Sequence, residues 1–294
     1  MRWRRIIRPS FWPRCRQEVD LKISEAIFNY KNSLDGADNP MRDLRKIMEW
    51  VLDLAPGRLS LVSNDPISAD QLERFEAAVE MRRNGCPVSR IIGERAFWTH
   101  VFRVTDAVLD PRPETEVLVR AALEHPADTV LDLGTGSGCI LISVLSEISG
   151  AHGTGTDIST SALTVAEENA RRIGVADRMR LQQSDWLGSV EGPFGLVLSN
   201  PPYIAQTEMD GLSREVRCFD PENALTDGAD GLIAYRRICG EIGRVLAPGG
   251  WLMVEIGPTQ GKDVSALFAA AGLKDVTVLP DLDGRDRVVK GRAP

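Results

Sequence analysis

The sequence is short of most features that would tie it to a metal, a membrane or an oxidising compartment. Its five cysteines, at 15, 86, 139, 218 and 239, form no CxxC pair, and only three histidines accompany them. Such a set suits neither a disulfide framework nor a structural zinc site, so no metal is expected and a reducing cytoplasm is the expected location. No stretch approaches the roughly 20 apolar residues of a membrane-spanning helix, and no membrane partner is expected. An excess of positive charge is missing too. Asp and Glu outnumber Lys and Arg by 42 to 35, and the resulting net charge of -7 gives no general attraction to nucleic acid. There is no internal repeat and no low-complexity tract.

One stretch runs against that balance. The first sixteen residues, MRWRRIIRPSFWPRCR, hold six arginines and no acid. No apolar segment of signal-peptide length follows, so secretion is not expected, and residues 1–19 read as a poorly ordered basic extension.

At 294 residues, 43% hydrophobic and 26% charged, the chain is long enough for one large domain and one small. Over residues 20–93 the apolar period is helical. Leu44, Ile47, Met48, Val51 and Leu52 share a face behind Asn39-Pro40, an N-cap and first helical position. Ser68 and Gln71 form a capping box ahead of Leu72, Phe75 and Val79, and Gly85 supplies a stop. Aromatic and β-branched residues over 94–110 (Phe97, Trp98, Val101, Phe102, Val104) predict a β-hairpin linker. Beyond it strands and helices alternate. Strands are expected at 128–133, 152–157, 178–183, 194–199, 250–256, 274–279 and 286–290, and helices near 114–124, 138–149, 160–173, 230–246 and 260–272. That alternation predicts an α/β fold with a mostly parallel, doubly wound sheet and helices on both faces.

The first strand of the sheet ends in VLDLGTGSGCI, where Gly134, Gly136 and Gly138, with Thr135 and Ser137 between them, allow a tight turn and a close backbone approach to a ligand. A dinucleotide loop would have glycine where Cys139 stands, and no Lys-Ser/Thr pair follows to make a phosphate-cradling loop. Asp132, just upstream, suits a ligand with a positive amino group. Asp157 ends the second strand, where an acid accepts from ribose hydroxyls; Ser159 is free to cap the next helix. Asp185-Trp186 follows the third strand, placing an acceptor and a flat ring where an adenine would lie. Ribose, adenine and a cationic amino acid together describe S-adenosylmethionine.

The fourth strand ends in Asn200-Pro201-Pro202-Tyr203. Prolines donate no ladder hydrogen bond, so in the plainest reading this corner only ends a strand. At the carboxyl edge of an open α/β sheet it has a second use. The Asn200 side-chain oxygen and the Pro201 carbonyl can hold the N–H groups of a planar nitrogen, Pro202 stiffens the turn, and Tyr203 offers a face. Those residues fit an amide nitrogen and an amine on a nucleic-acid base equally well.

Other segments narrow the choice. LDPRPETE (109–116), RRNGCPVSRIIGERAFW (82–98), DPENAL (220–225), DGLIAYRRI (230–238), GGWLMVEIG (249–257) and GRDRVV (284–289), with NPPYI, resemble the HemK/PrmC family over about residues 40 to 291. The resemblance implies a class I methyltransferase-type seven-stranded domain over 111–294, a helical domain over 20–93 that helps dock the substrate, and transfer to the N5 amide nitrogen of the GGQ glutamine in peptide chain release factors. It implies that Gly134 to Gly138, Asp157, Trp186 and Asn200 contact the cofactor, that Asn200 to Tyr203 contact the glutamine, and that Arg112 and Glu116 border the pocket. An ion pair between Arg112 and Glu116 is the structural alternative. Asp220 departs from the family's expected glutamate, and Arg285-Asp286-Arg287 reads as a solvated charged turn. The protein partner is then a release factor and the enzyme a monomer. A nucleic-acid adenine-N6 or guanine-N2 methyltransferase is the competing reading, and the acidic total weighs against it.

Overall fold

A computed structural model describes residues 21–34 and 39–294; the basic extension expected over 1–19 lies outside them. The described residues fall into two compact units, one ending at Asn84 and one running from Gly85 to Pro294. None of their helices is long and apolar enough to cross a membrane.

The first unit holds four helices: α1 (Ile23–Asn29), α2 (Pro40–Val51), α3 (Leu59–Val62) and α4 (Ala69–Arg83). Helix α2 starts where the chain dictates. The Asn39 side chain accepts from the Arg42 N–H at 3.1 Å, and Pro40 fills a position whose N–H would have no partner. Leu44, Ile47, Met48 and Val51 are buried on one stripe, and Phe75 and Val79 of α4 face inward as the period predicts. Ser68 and Gln71 form the reciprocal capping box that begins α4.

The second unit begins with α5 (Val88–Ile92) and the hairpin of β1 (Glu94–Phe97) and β2 (His100–Arg103), paired antiparallel. Then follow α6 (Glu116–Leu123), β3 (Thr129–Leu133), α7 (Cys139–Glu147), β4 (His152–Asp157), α8 (Thr160–Ile173), β5 (Met179–Gln183) and β6 (Phe194–Ser199). Helix α9 (Arg214–Phe219), α10 (Ile233–Glu241), β7 (Leu246–Glu255), α11 (Gly261–Ala270), β8 (Lys274–Pro280) and β9 (Asp286–Arg292) complete it. The seven strands β3 to β9 lie in the order β5-β4-β3-β6-β7-β9-β8, and β9 alone runs against its neighbours.

Period-two alternation puts helices on both faces of this sheet. Val130, Leu196 and Leu198 pack into the cluster holding Leu118 of α6 and Leu141 and Leu145 of α7. Leu131, Leu133 and Val197 point the other way, to Tyr235 of α10 and Phe268 of α11. The chain passes from β3 outward to β4 and β5, then returns to lay β6 on the other side of β3. That reversal is the switch point where open α/β sheets hold ligands. Leu133 and Ser199 are parallel partners there, so Gly134 and Asn200 leave the sheet side by side.

Candidate active site

The loop after β3 uses its glycines in two ways. Gly134, Gly136 and Gly138 have φ of +69°, +55° and +79°, a region costly for a residue with a Cβ. A Cβ on Gly138 would lie 2.8 Å from Ile142 and 3.2 Å from Ala166, so this glycine lets α7 pack closely on α8. A Cβ on Gly134 would meet nothing nearer than the Trp186 ring at 4.0 Å; this side of the loop opens onto a cavity. Asp157 braces the loop from β4, its Oδ2 accepting from the Gly136 N–H at 3.0 Å and its Oδ1 from the Ser159 N–H at 2.9 Å. Burial pushes its pKa up, and those N–H groups pull it back. Ser159 caps α8 through the Ala162 N–H, which frees Asp157 for the cavity.

The cavity measures about 350 Å³. Of the residues singled out in the sequence, Gly134, Thr135, Gly136, Ser137, Asp157, Asp185, Trp186, Asn200 and Pro202 line it; Gly138, Pro201 and Tyr203 do not. Gly138 has turned into the helix packing just described. Pro201 is buried behind the corner. Tyr203 packs on the core cluster beneath α10 and α11 instead of presenting a face to the cavity. Asp185 reaches the cavity with both carboxylate oxygens already engaged by Arg237, at 2.8 and 2.6 Å. Asp132 is displaced furthest from its expected role. It is fully buried behind the loop, outside the cavity lining, with its Oδ2 accepting from the Thr135 hydroxyl at 2.7 Å, and burial pushes it up to about 7.

At the corner, Asn200 Nδ2 donates to Thr115 Oγ1 at 3.2 Å. That leaves the Asn200 side-chain oxygen as the acceptor available to the cavity. The Tyr203 carbonyl accepts from Gln260 Nε2 at 2.9 Å. Gly231, at φ +75°, lets the backbone pass so close that a Cβ there would sit 2.2 Å from this same oxygen. Beneath lies Glu255, the last residue of β7, which burial pushes up to about 7 against hydrogen bonding from Thr115 and Tyr203. Burial, and then Glu255, pushes the Tyr203 phenol well above its ordinary range. Gln260, Gly231 and Glu255 were not singled out in the sequence, since each belongs to this site only through the return of β7 beside β6.

Two charged segments also differ from expectation. Arg112 borders the cavity, but its partner is Asp220 at 2.5 Å; Glu116 accepts from the Trp98 N–H and lines nothing. Buried Asp220 takes Arg90 as well, at 2.8 Å, so the substitution for glutamate sits at a three-residue charge cluster. In the 285–287 turn only Arg285 and Asp286 are solvated. Arg287 is 6% exposed, donating to the Ile256 carbonyl and Asp281, because it starts the inward-facing row of β9.

The cavity therefore offers a carboxyl at Asp157, an aromatic and apolar wall at Trp186 and Ile158, and the edge of the loop Gly134 to Ser137. S-adenosylmethionine fits that set. The corner adds an acceptor beside it.

Comparison with known proteins agrees. A family described as PrmC N-terminal domain matches residues 25–93, and one described as Methyltransferase small domain matches 105–220. A protein of Cereibacter sphaeroides named Release factor glutamine methyltransferase is 51% identical over 88% of this chain and 93% of its own. Proteins of the same name from Caulobacter vibrioides and Rhodospirillum rubrum are 44% and 42% identical, each over 87% of this chain and over 90% and 80% of their own. Among solved structures, a methyltransferase from Pyrococcus furiosus has the same fold, with a TM-score of 0.52 at 16% identity over 74% of this chain and 96% of that one.

Proposed function

This chain belongs to the release factor glutamine methyltransferase family, and from that premise we propose how its residues divide the work between the methyl donor and the glutamine. The activity is S-adenosylmethionine-dependent methylation of a release factor glutamine. Bound in the cavity, the donor supplies a sulfonium whose methyl group is open to in-line attack.

The protein's part is to bring a poor nucleophile to it in line. A glutamine amide nitrogen has a delocalised lone pair, and good alignment is worth roughly 7–11 kcal/mol in favourable cases. The Asn200 side-chain oxygen accepts from one of its N–H groups, and buried Pro201 holds the corner behind it. That contact holds the nitrogen toward the methyl group and favours the positive charge that grows on it. Pro202 keeps the turn rigid. Tyr203 acts from behind: its carbonyl is tied to Gln260 and its ring to the core, which fixes the corner. With the donor bound, Asp157 would receive the ribose hydroxyls, Trp186 and Ile158 would flank the adenine, and Gly134 to Ser137 would face the amino-acid end. The nitrogen's proton leaves after transfer, so no strong base is required.

Several finer assignments belong to this reading. The target is the N5 nitrogen of the GGQ glutamine. Residues 20–93 dock the release factor, 94–110 form the linker and 111–294 carry out the transfer; the family match over 25–93 supports the first of these. The enzyme works as a cytoplasmic monomer without direct contact to nucleic acid. The observation that supports the reading is Asn200 lining the cavity beside the glycine loop with its Nδ2 already held by Thr115. The test is transfer of labelled methyl from S-adenosylmethionine to purified release factor. Asn200→Ala is expected to cut kcat by at least about 100-fold, the scale seen when a positioned charge-stabilising group is removed. A variant as active as the wild type would remove Asn200 from the mechanism.

A further inference from the structure

The hold on Tyr203 is one part of a larger tie made by a single amide. Gln260, the residue before α11, donates from Nε2 to the Tyr203 carbonyl at 2.9 Å and to the Gly231 carbonyl at 3.3 Å. Its Oε1 accepts from the Gly257 N–H at 2.9 Å. All three partners are backbone groups, so the direction of each bond is fixed: a carbonyl only accepts and an N–H only donates. The amide therefore stands one way round, its N–H groups toward Tyr203 and Gly231. The Tyr235 hydroxyl comes within 3.5 Å of the same Oε1, but its one proton goes to the Glu255 carbonyl at 2.8 Å.

Two glycines leave room for this amide. A Cβ on Gly231 would lie 3.0 Å from Gln260 Nε2, and one on Gly257 would lie 3.1 Å from Gln260 Oε1 and 3.4 Å from the Tyr203 ring. The tied segments differ in what else holds them. The start of α10 also has Asp227, which accepts from the Gly231 and Ile233 N–H groups at 3.0 and 2.8 Å. Among the described residues no other donor bonds the Tyr203 carbonyl. Between Tyr203 and Asn200 stand only Pro201 and Pro202, so a shift at Tyr203 is passed on to Asn200 instead of being absorbed. We propose that Gln260 is a positioning residue for methyl transfer, the polarity of its amide holding the corner so that Asn200 meets the substrate nitrogen in line with the methyl group. A misplacement of about 1 Å is enough to cost a transfer about 100-fold. The inference rests on the corner mechanism above and extends it to the turn between β7 and α11.

Two full-length variants test it, assayed with purified release factor and labelled S-adenosylmethionine. Gln260→Met keeps the length and removes all three bonds. It should lower kcat by about 10-fold or more while KM for S-adenosylmethionine stays within about 3-fold, because Asp227 still holds α10. Gln260→Glu, when ionised, turns lone pairs toward two carbonyls; when protonated, it donates to Tyr203 and accepts from Gly257 as the amide does. The carbonyls disfavour its charge. Among its charged neighbours Asp227 beside Gly231, Glu255 at the end of β7 and Asp286 beside Gly261 outnumber Arg287, and exposed Lys262 and Asp263 offset each other. The introduced carboxyl should therefore titrate above the ordinary glutamate range. Relative to wild type at the same pH, kcat of Gln260→Glu should be down about 10-fold at about pH 8.5 and regain at least about 3-fold by about pH 6. The inference is overturned if Gln260→Met keeps wild-type kcat, or if the Gln260→Glu ratio ignores pH. It is overturned too if either variant loses calorimetric binding of S-adenosylhomocysteine along with kcat, since the amide would then support the cavity as a whole. Asn200→Ala in the same series separates the two readings. Undiminished kcat there removes the corner mechanism and this inference together, whereas a fall there beside a fully active Gln260→Met removes this inference alone. Wild-type activity on the release factor reports on the function independently.

Discussion

Asp132 shows how far residue spacing reaches and where strand geometry takes over. Its place one turn before the glycines suggests a partner for a cationic ligand. It shares a pleat with Val130, however, whose side chain enters the cluster beneath α7, so the carboxyl is carried behind the loop. Asp157 is legible for the opposite reason: it ends its strand, where the chain opens at the switch point. Asn200 is legible because two prolines after a strand are hard to explain by packing alone. The burial of Asp132 has a pH signature. Its carboxyl titrates near 3.8 when unfolded and at about 7 when folded. Between those values the unfolded chain has released a proton that the folded chain keeps, so stability present at low pH is lost as pH rises through about 7. At about 1.4 kcal/mol per pKa unit the loss is of the order of 4 kcal/mol. Asp132→Asn has no such charge to bury. Its Tm relative to wild type should therefore rise between about pH 5 and about pH 8. A difference in Tm that ignores pH would show that Asp132 is not strained by its charge.

At the scale of elements, the long periodic segments were readable and the cover of the cavity was not. Strands β4 and β6 and helix α8 begin and end where alternation and capping place them. Helix α9 and the short turns over 206–211 and 222–224 hold too few residues to show a period. They are set by contacts far away in sequence. The chain leaves the corner, bridges Ile204 to Thr226, and brings Pro221, Asn223 and Ala224 back over the cavity. Asp220 anchors that return. It and Arg90 are each 3% exposed in their side chains, and Arg112 borders the cavity. Nothing in linear spacing links residues 90, 112 and 220. Removing one partner of a buried charge cluster costs about 3–5 kcal/mol. Asp220→Asn should therefore lower Tm by roughly 10 °C for a unit of this size, measured by calorimetry. It should also raise KM for S-adenosylmethionine, because Arg112 and Asn223 lose their anchor. Asp220→Glu keeps the charge and should lose less on both counts. Unchanged Tm and KM in Asp220→Asn would mean that the cover is held by its backbone bonds alone.

For the whole molecule, the mostly parallel sheet follows from the alternation of strands and helices, and the cavity falls where its strand order reverses. The corner residues do not by themselves decide between an amide and a base amine, since both nitrogens are planar and both would fit the Asn200 oxygen; the surrounding segments narrow the choice by resemblance. The relatives, named Release factor glutamine methyltransferase over most of the chain, decide it, and residues 25–93 match the PrmC N-terminal domain family. The acidic total is consistent with a protein substrate. The central claim, a methyl group placed on one glutamine nitrogen, is tested most directly by mass spectrometry of release factor incubated with the enzyme and labelled S-adenosylmethionine. The account predicts a single methyl group on the side-chain amide nitrogen of the GGQ glutamine, and none when that glutamine is replaced. Label on any other residue, or equal labelling of the replaced protein, would contradict it.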